Sequence, residues 1–388
     1  MNKFEPIAII GQGCVLPECF SPEQLWETIS NGKVNIQNAK ENSWRVNKND
    51  VLVDKNKPET VNRAWHDKGG YINGFEKIFN PKDYKIDPII TNELDPLFQW
   101  CFYSAQQALI DSGYMDSEVK NNTGLILGNL SYPTRSFSHY FEQTYMKKLF
   151  KDLSLDEKKV NSINRFMSGL PAILTAAALG LEEDAFSLDA ACASSLYALK
   201  LACDSLNSHK KDMMLVGGVC AADQLFLHVG FTALNALSPS GQSRPFNKGA
   251  DGLIPAEGAA FVVLKRLSDA VKDNDNILGV IRGVGLSNDG RSGGFLSPSM
   301  EGQIRCMEQA FEQSGVSPQD VSYIECHATG TLTGDSTEIK SMSHIFGESK
   351  NVSIGSLKAN FGHLITASGI AGLLKVIAAI KNNVLPET

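Results

Sequence analysis

Short apolar runs of strand length alternate along the chain with helical patterns. PIAIIGQG is an apolar run that ends in a glycine turn, and TGLILGNL and DMMLVGGVC are continuous apolar runs. Continuous runs of this kind are typical of strands buried on both faces of a sheet. GAAFVVLKRL, VSYIECHATG and NVSIGSLKANFGH repeat this character later in the chain. Because helical segments lie between these runs, the order predicts an α/β fold.

Helix start and stop signals support this interpretation. In SPEQLWETISNG, Ser21 stands at the N-cap position, Pro22 at the first helical position and Gln24 in the capping-box position. SLYALKLACDSL and EGQIRCMEQAFEQSG predict further helices between the later apolar runs. FMSGLPAILTAAALGL is too short and too interrupted by Gly and Pro to span a bilayer, so we interpret it as a buried helix.

Two regions look like insertions rather than core. Residues 33–95 are polar and rich in loop-forming residues, and residues 131–165 are helical but polar. We interpret the second region as a solvated cap; a subunit contact or part of a substrate tunnel is the alternative.

Composition narrows the class of protein. The chain has 388 residues, of which 43% are hydrophobic and 20% charged, which predicts a globular protein with a large core. A net charge of -7 argues against nucleic acid or an anionic membrane as the main partner. The eight cysteines show no CxxC pair and no zinc spacing, which favours reduced thiols in a cytoplasm. We expect no membrane span and no signal peptide.

The stretch DAACASSLYALKLACDSL carries the first candidate chemistry. Cys192 comes just before the predicted helix, where unpaired N–H groups and the helix dipole stabilise a thiolate and lower a thiol pKa. Its small neighbours permit a tight turn from strand to helix. From this stretch alone, a nucleophile and a buried structural thiol stay equally open. The helix is predicted to pack by one face, formed by Leu196, Leu199, Cys203 and Leu206.

Two histidines occur where an apolar run ends in small residues. His327 lies in YIECHATGTLTGDSTE, and Lys358 and His363 lie in SIGSLKANFGHLITASGIAGLLK. A lone histidine is more often structural than catalytic. Two in similar contexts, together with a cysteine at a helix start, favour a catalytic site. The other five histidines are interpreted as structural or exposed: His66, His139, His209, His228 and His344.

Three segments then resemble a known family. DAACASSLYAL, ECHATGTLTGDSTE and GSLKANFGHLITASGIAGLLKV are similar, in this order, to the three active-site blocks of β-ketoacyl synthases. The resemblance is closest to ketosynthase domains of type I polyketide synthases and polyunsaturated fatty acid synthases. It implies a thiolase fold, in which two similar βαβαβαββ halves give a five-layered α-β-α-β-α arrangement. Residues 1–240 would carry Cys192 and residues 241–388 would carry both histidines.

The resemblance also implies a reaction, a decarboxylative Claisen condensation. Cys192 would accept an acyl chain as a thioester from the phosphopantetheine arm of an acyl carrier protein. A malonyl-type extender thioester would lose CO2, and His327 and His363 would stabilise the enolate oxygen that forms. Lys358 would organise the site by its charge. No bound cofactor and no metal are implied.

Further roles come from the same resemblance. Glu338 matches an acid that the family pairs with the lysine; as a bare residue it is an ordinary acid at a helix start. Thr329 and Thr331 match threonines that contact the phosphopantetheine arm, and as bare residues they are equally good turn formers. The resemblance implies a homodimer with the strand before the cysteine block at the interface, and the unpaired cysteines predict a cytoplasmic location.

The chain also departs from the family pattern. Ala193 stands where the family often has Ser, and Ala328 where it has Gly. The sequence stops at KNNVLPET, so the second half is expected to lack its last strands and a Gly-Phe-Gly-rich loop that supplies one oxyanion N–H. The alternative is therefore a non-catalytic ketosynthase-like subunit that binds a carrier protein or a partner chain. A degradative thiolase is less favoured, because it needs a second active cysteine and none follows Cys326.

Overall fold

A computed structural model describes residues 4–41, 43–54, 61–117, 122–149, 159–291, 297–347 and 352–388. Its strands are β1 Ile7–Val15, β2 Gln37–Asn38, β3 Lys68–Gly69, β4 Thr123–Asn129, β5 Ala185–Leu188, β6 Met213–Cys220, β7 Gly258–Arg266, β8 Gly279–Ile281, β9 Tyr323–Glu325 and β10 Ser353–Gly355. Its α-helices are α1 Pro22–Ser30, α2 Lys48–Val51, α3 Pro88–Glu93, α4 Pro96–Asp111, α5 Arg135–Phe141, α6 Lys147–Leu149, α7 Leu170–Leu179, α8 Ser194–Asn207, α9 Gln224–Ala233, α10 Leu267–Lys272, α11 Met300–Ser314, α12 Leu332–Phe346, α13 Lys358–Phe361 and α14 Ser368–Asn382.

The central sheet has six strands in the order β5-β4-β6-β7-β1-β8. β4 runs parallel to β5 and β6, whereas β7 is antiparallel to β6 and β1, and β1 is antiparallel to β8. Every residue of β1, β4, β6 and β7 is buried. The continuous apolar runs therefore predicted these four strands correctly, because both faces of this sheet are covered.

Helices cover both faces of the six-stranded sheet. Alternate strand residues point to opposite sides: Ala8 and Ile10 pack in the core that includes α4 and α7, and Ile7 and Ile9 pack in the core that includes α8 and α14. A one-residue change of register would exchange these two cores. The strands thus separate two apolar layers, one on each face.

A second, parallel sheet of β9 and β10 lies beyond α14. Ile324 of β9 packs in a cluster that includes Met342 of α12, whereas Glu325 pairs with Lys375 of α14. α11 in turn packs on α12. The described residues therefore stack in five layers, α-β-α-β-α, and the predicted fold class is confirmed.

The glycines of the first strand permit close helix packing. A β-carbon on Gly11 would overlap the carbonyl oxygen of Ala108, and one on Gly13 would overlap that of Ser104, both in α4. β1 can therefore approach the α4 backbone only because these positions lack side chains.

The predicted first helix is confirmed with its cap. Ser21 is the N-cap, its hydroxyl accepts a hydrogen bond from the Gln24 N–H at 3.3 Å, and Pro22 is the first helical residue. The Gln24 side chain accepts from the Phe20 N–H at 2.7 Å, one residue before the expected capping-box donor.

The first predicted insertion contains little regular structure, whereas the described part of the second is mostly helical, as predicted. Residues 33–95 carry β2, β3 and the short helices α2 and α3, with residues 42 and 55–60 outside the described part. Residues 131–165 carry α5, a π-helical turn Glu142–Met146 and α6, and residues 150–158 lie outside it. The division at residue 240 stays a prediction; β7 and β8, which follow that residue, complete the six-stranded sheet.

One helical stretch of the described chain, Ile365–Asn382, is long and apolar enough to cross a membrane, and 61% of it is buried inside the protein. This stretch contains α14, which packs against α8 and β7. Its apolar side chains are therefore part of the protein core. The segment expected to be a buried helix forms α7, and most of its residues are buried.

Candidate active site

Cys192 lies in a 3₁₀ turn, Ala191–Ala193, between β5 and α8. Ala191 has φ +50°, a left-handed conformation that a non-glycine residue seldom adopts. The Ser194 hydroxyl donates to the Ala191 carbonyl at 2.6 Å and accepts from the Ala190 N–H at 2.9 Å. These bonds hold the turn that places the sulfur immediately before the helix.

His363 contacts the cysteine directly, with Nε2 3.1 Å from the Cys192 sulfur. Its Nδ1 accepts a hydrogen bond from the Ile365 N–H at 3.2 Å. A backbone N–H can only donate, so Nδ1 carries no hydrogen in the neutral ring. The hydrogen is therefore on Nε2 and points at the sulfur, which makes His363 a donor to a Cys192 thiolate.

His327 completes the group of three. It follows β9, and its ring is 5.3 Å from the His363 ring, in an edge-to-face arrangement at 81°. One donor atom each of Cys192, His327 and His363 lies within 4.8 Å of the others. The structure thus brings together three residues that are far apart in sequence.

Glu338 holds the loop that carries His327. Its two carboxylate oxygens accept hydrogen bonds from the N–H groups of His327 and Ala328, each at 2.7 Å. Glu338 and Lys358 interact as charges, and the described residues contain no ion pair of 4 Å or less between them. The pairing implied by the resemblance is thus electrostatic, while the direct partners of Glu338 are backbone groups.

Lys358 begins α13 and is 7% exposed. Burial lowers its pKa, and the negative charges of Glu325 and Glu338 act in the opposite direction. Its positive charge favours a thiolate at Cys192 and disfavours protonation of both histidines. Lys358 therefore acts through its field on all three groups.

Burial dominates the protonation of the three reactive groups. It raises the pKa of Cys192, and Lys358 only partly offsets this. The prediction of a lowered thiol pKa is therefore wrong, because desolvation outweighs the helix start. Burial and the charge of Lys358 lower the pKa of His363 well below its usual value. The same two causes lower the pKa of His327, although the side chain of His327 is exposed to a cavity. Both imidazoles are consequently neutral near pH 7.

The reactive groups open into a cavity of about 490 Å³ that Cys192, His327 and Lys358 help to line. Most of its other walls are apolar and include Leu196, Met307, Phe311, Ile324 and Leu373. Leu196 was expected on the packed face of α8 but is 41% exposed, whereas Leu199, Cys203 and Leu206 are buried as predicted.

The two threonines follow His327 in the same loop. Thr329 is buried, and its hydroxyl is 3.0 Å from that of Thr331, the residue that precedes α12. Their predicted contact with phosphopantetheine stays a prediction.

Two acidic groups of the site were missed in the sequence. Glu325 forms an ion pair of 2.9 Å with Lys375, which is 0% exposed, and accepts from the Leu357 N–H at 2.5 Å. Asp335 accepts from the N–H groups of Phe246 and Gly330 at 2.8 and 3.1 Å. One lysine, Lys375, in the apolar run GIAGLLKVIAAI could have indicated that a buried acidic partner such as Glu325 exists. Asp335 itself is visible as the aspartate of GDSTE.

Comparison with known proteins agrees with this geometry. The family model for the β-ketoacyl synthase N-terminal domain matches residues 4–270, and that for the C-terminal domain matches residues 278–388. One chain of the polyunsaturated fatty acid synthase of Thraustochytrium is 33% identical over 100% of this chain and 19% of its own length. The PKS-NRPS hybrid synthetase ATPKS of Aspergillus niger is 32% identical over 99% of this chain and 20% of its own length.

Solved structures show the same relationship. PfaC keto synthase-chain length factor has a TM-score of 0.92 and 38% identity, covering 98% of this chain and 42% of its own. The ketosynthase from module 6 of the bacillaene synthase of Bacillus subtilis has a TM-score of 0.80 and 28% identity, covering 99% and 63%.

These matches confirm a condensing-enzyme fold of the thiolase type. The chain belongs to the β-ketoacyl synthase family. It spans about a fifth of the length of the curated relatives that it matches.

The tautomer of His363 makes a testable prediction. Replacing His363 with Ala removes a donor to the sulfur anion, so the pKa of the Cys192 thiol rises further. The pH dependence of Cys192 alkylation by iodoacetamide, followed by peptide mass, then shifts to higher pH. His344→Ala, an exposed histidine of α12, is the matched control. An unchanged or lower midpoint in His363→Ala would contradict the role of Nε2 as a donor to the sulfur.

Proposed function

We propose that this chain is the condensing unit of a polyketide or fatty acid synthase, a β-ketoacyl-[acyl-carrier-protein] synthase. It joins an acyl group on Cys192 to a malonyl-type extender by decarboxylative Claisen condensation. The observation that carries this proposal is the Nε2–H of His363 directed at the Cys192 sulfur, with His327 within reach of both.

The first half-reaction is transfer of an acyl group to Cys192. The thiol loses its proton to solvent, and the thiolate attacks the acyl thioester carbonyl. The C–S bond to the carrier breaks, and the carrier thiolate takes up a proton. The His363 N–H and the Lys358 charge both stabilise the attacking anion. These two groups offset part of the loss of solvation that disfavours the Cys192 thiolate.

The second half-reaction is condensation. A malonyl-type thioester loses CO2, and the electron pair of the broken C–C bond forms an enolate. Neutral imidazoles are suited to this step, because each offers one N–H to the developing oxyanion without first giving up a proton. The enolate carbon then attacks the acyl carbonyl on Cys192, and the cysteine leaves as a thiolate, which the same neighbours stabilise.

The substrates would arrive on the phosphopantetheine arm of an acyl carrier protein. Thr329 and Thr331 support this, because their paired hydroxyls lie on the loop that follows His327. The chemistry uses thiol, imidazole and ammonium groups of the chain itself, so we propose no resident cofactor. A cytoplasmic location fits eight free thiols.

The test is acylation of the chain by an acyl carrier thioester, followed by digestion and mass spectrometry. We expect the acyl mass on the Cys192 peptide, and none in Cys192→Ala. His327→Ala should still be acylated but should decarboxylate a malonyl carrier thioester about 10²–10³-fold more slowly, because it loses one donor to the enolate. Cys306→Ala serves as control.

No acylation of Cys192 by carrier thioesters of several chain lengths, in a chain shown to be folded by circular dichroism, would contradict the proposal. It would also be contradicted if His327→Ala decarboxylated malonyl carrier at the wild-type rate.

We also propose that two copies associate through β5. β5 is the edge strand of the six-stranded sheet, so one side of its backbone has no partner strand within the described chain. Phe186 in β5 is 44% exposed and shares a surface cleft with Leu201 of α8. An edge strand can pair with its own copy across a two-fold axis and cover both side chains.

Charge at this edge should prevent association. Phe186→Asp places a carboxylate in the proposed interface, so sedimentation velocity should show a species of one chain, whereas the wild type has twice that mass. Ile89→Asp, which changes an exposed apolar side chain of α3, should stay dimeric. A wild-type monomer, or a dimeric Phe186→Asp, would refute this arrangement.

A further inference from the structure

The donor atoms of Cys192, His327 and His363 have the composition of a site for a thiophilic metal ion. A sulfur and two imidazole nitrogens lie within 4.8 Å of one another, and the sulfur and His363 Nε2 are 3.1 Å apart. The residues come from three separate segments, the turn before α8, the loop after β9 and the loop after α13. No local spacing in the sequence could therefore have indicated such a site.

A tetrahedral zinc ion fixes the separations between its ligand atoms. Zn–S and Zn–N bonds of about 2.3 and 2.0–2.1 Å place tetrahedral ligands about 3.3–3.6 Å apart. The sulfur and His363 Nε2, 3.1 Å apart, lie slightly closer than this, and no separation in the group exceeds 4.8 Å, so binding requires the side chains to rotate toward the ion. The cavity beside them leaves a fourth position open to water, and His327 is exposed to that cavity.

We propose that Cys192, His327 and His363 form a binding site for Zn²⁺ that blocks the reactive cysteine reversibly. This goes beyond condensation, and metal binding itself does not depend on the proposed reaction. The bound ion would occupy the sulfur lone pair that attacks the thioester and would prevent both histidines from donating to an enolate. Free zinc would thereby act as an inhibitor competing with the acyl group.

Metal binding releases one proton and moves another. The Zn–S bond forms as the Cys192 thiol releases its proton to solvent. The Nε2 hydrogen of His363 must move to Nδ1, because the metal needs the Nε2 lone pair. The Ser368 hydroxyl, 3.0 Å from Nδ1, can then accept that hydrogen, while the Ile365 N–H loses its acceptor.

Opposing effects make this site weaker than a structural zinc site. The lost Ile365 bond and the nearby Lys358 charge both disfavour the ion, whereas Glu325 and Glu338 offset part of that charge. Ser368 becomes a positioning residue, because it orients the metal-binding tautomer. Removing such a second partner typically weakens metal affinity 10–100-fold.

The test uses Co²⁺ as a spectroscopic substitute for Zn²⁺ on the full chain, without any substrate. We expect a thiolate-to-cobalt charge-transfer band and intense visible bands of tetrahedral Co²⁺, saturating at one ion per chain and abolished by added Zn²⁺. Cys192→Ala should lose the charge-transfer band. Ser368→Ala should keep it, with an affinity about 10–100-fold lower.

Controls separate this site from adventitious binding. Cys306→Ala, a second partly exposed thiol, and His344→Ala should titrate like the wild type. A wild type with no charge-transfer band, or a band that persists in Cys192→Ala, would overturn the proposal. Circular dichroism confirms that each variant is folded. Because no substrate is present, this result is independent of whether Cys192 can be acylated.

Discussion

The site depends on one backbone hydrogen bond, from the Ile365 N–H to Nδ1 of His363. It assigns the ring hydrogen to Nε2, 3.1 Å from the sulfur of Cys192. A donor at this position stabilises a thiolate and, in the proposed condensation, an oxyanion with the same N–H. Burial raises the pKa of Cys192, so the proposed acylation needs such stabilisation of the thiolate. The charge of Lys358 acts in the same direction.

Backbone strain accompanies each of the three reactive groups. Ala191 precedes the cysteine, Ala328 follows one histidine and Ile365 follows the other, and all three have a positive φ. Such conformations cost about 1–3 kcal/mol each and persist where surrounding contacts enforce them. The contacts here are the Ser194 hydroxyl at the first turn and the Glu338 carboxylate at the second. The fold thus holds three loops in positions that the isolated chain would avoid.

The sequence predicted the parts of this fold that depend on local pattern. Runs such as TGLILGNL became fully buried strands because helices cover both faces of the sheet. Cys192 follows β5 and His327 follows β9, as their apolar runs predicted, whereas the short helix α13 separates His363 from the end of β10. The burial of a side chain was harder to predict, because it depends on segments that are distant in the sequence. For this reason the predicted direction of the pKa shift of Cys192 was wrong. The partner of Lys375 was missed because Glu325 lies on another element.

Nitrogen-15 NMR of the imidazoles tests the central claim most directly. The chain has seven histidines, so a histidine-labelled sample gives few signals, and His363→Gln identifies the one that matters. The account predicts a neutral ring near pH 7 with its hydrogen on Nε2. A His363 signal with the hydrogen on Nδ1, or a protonated ring, would contradict the assignment of His363 as a donor to the sulfur.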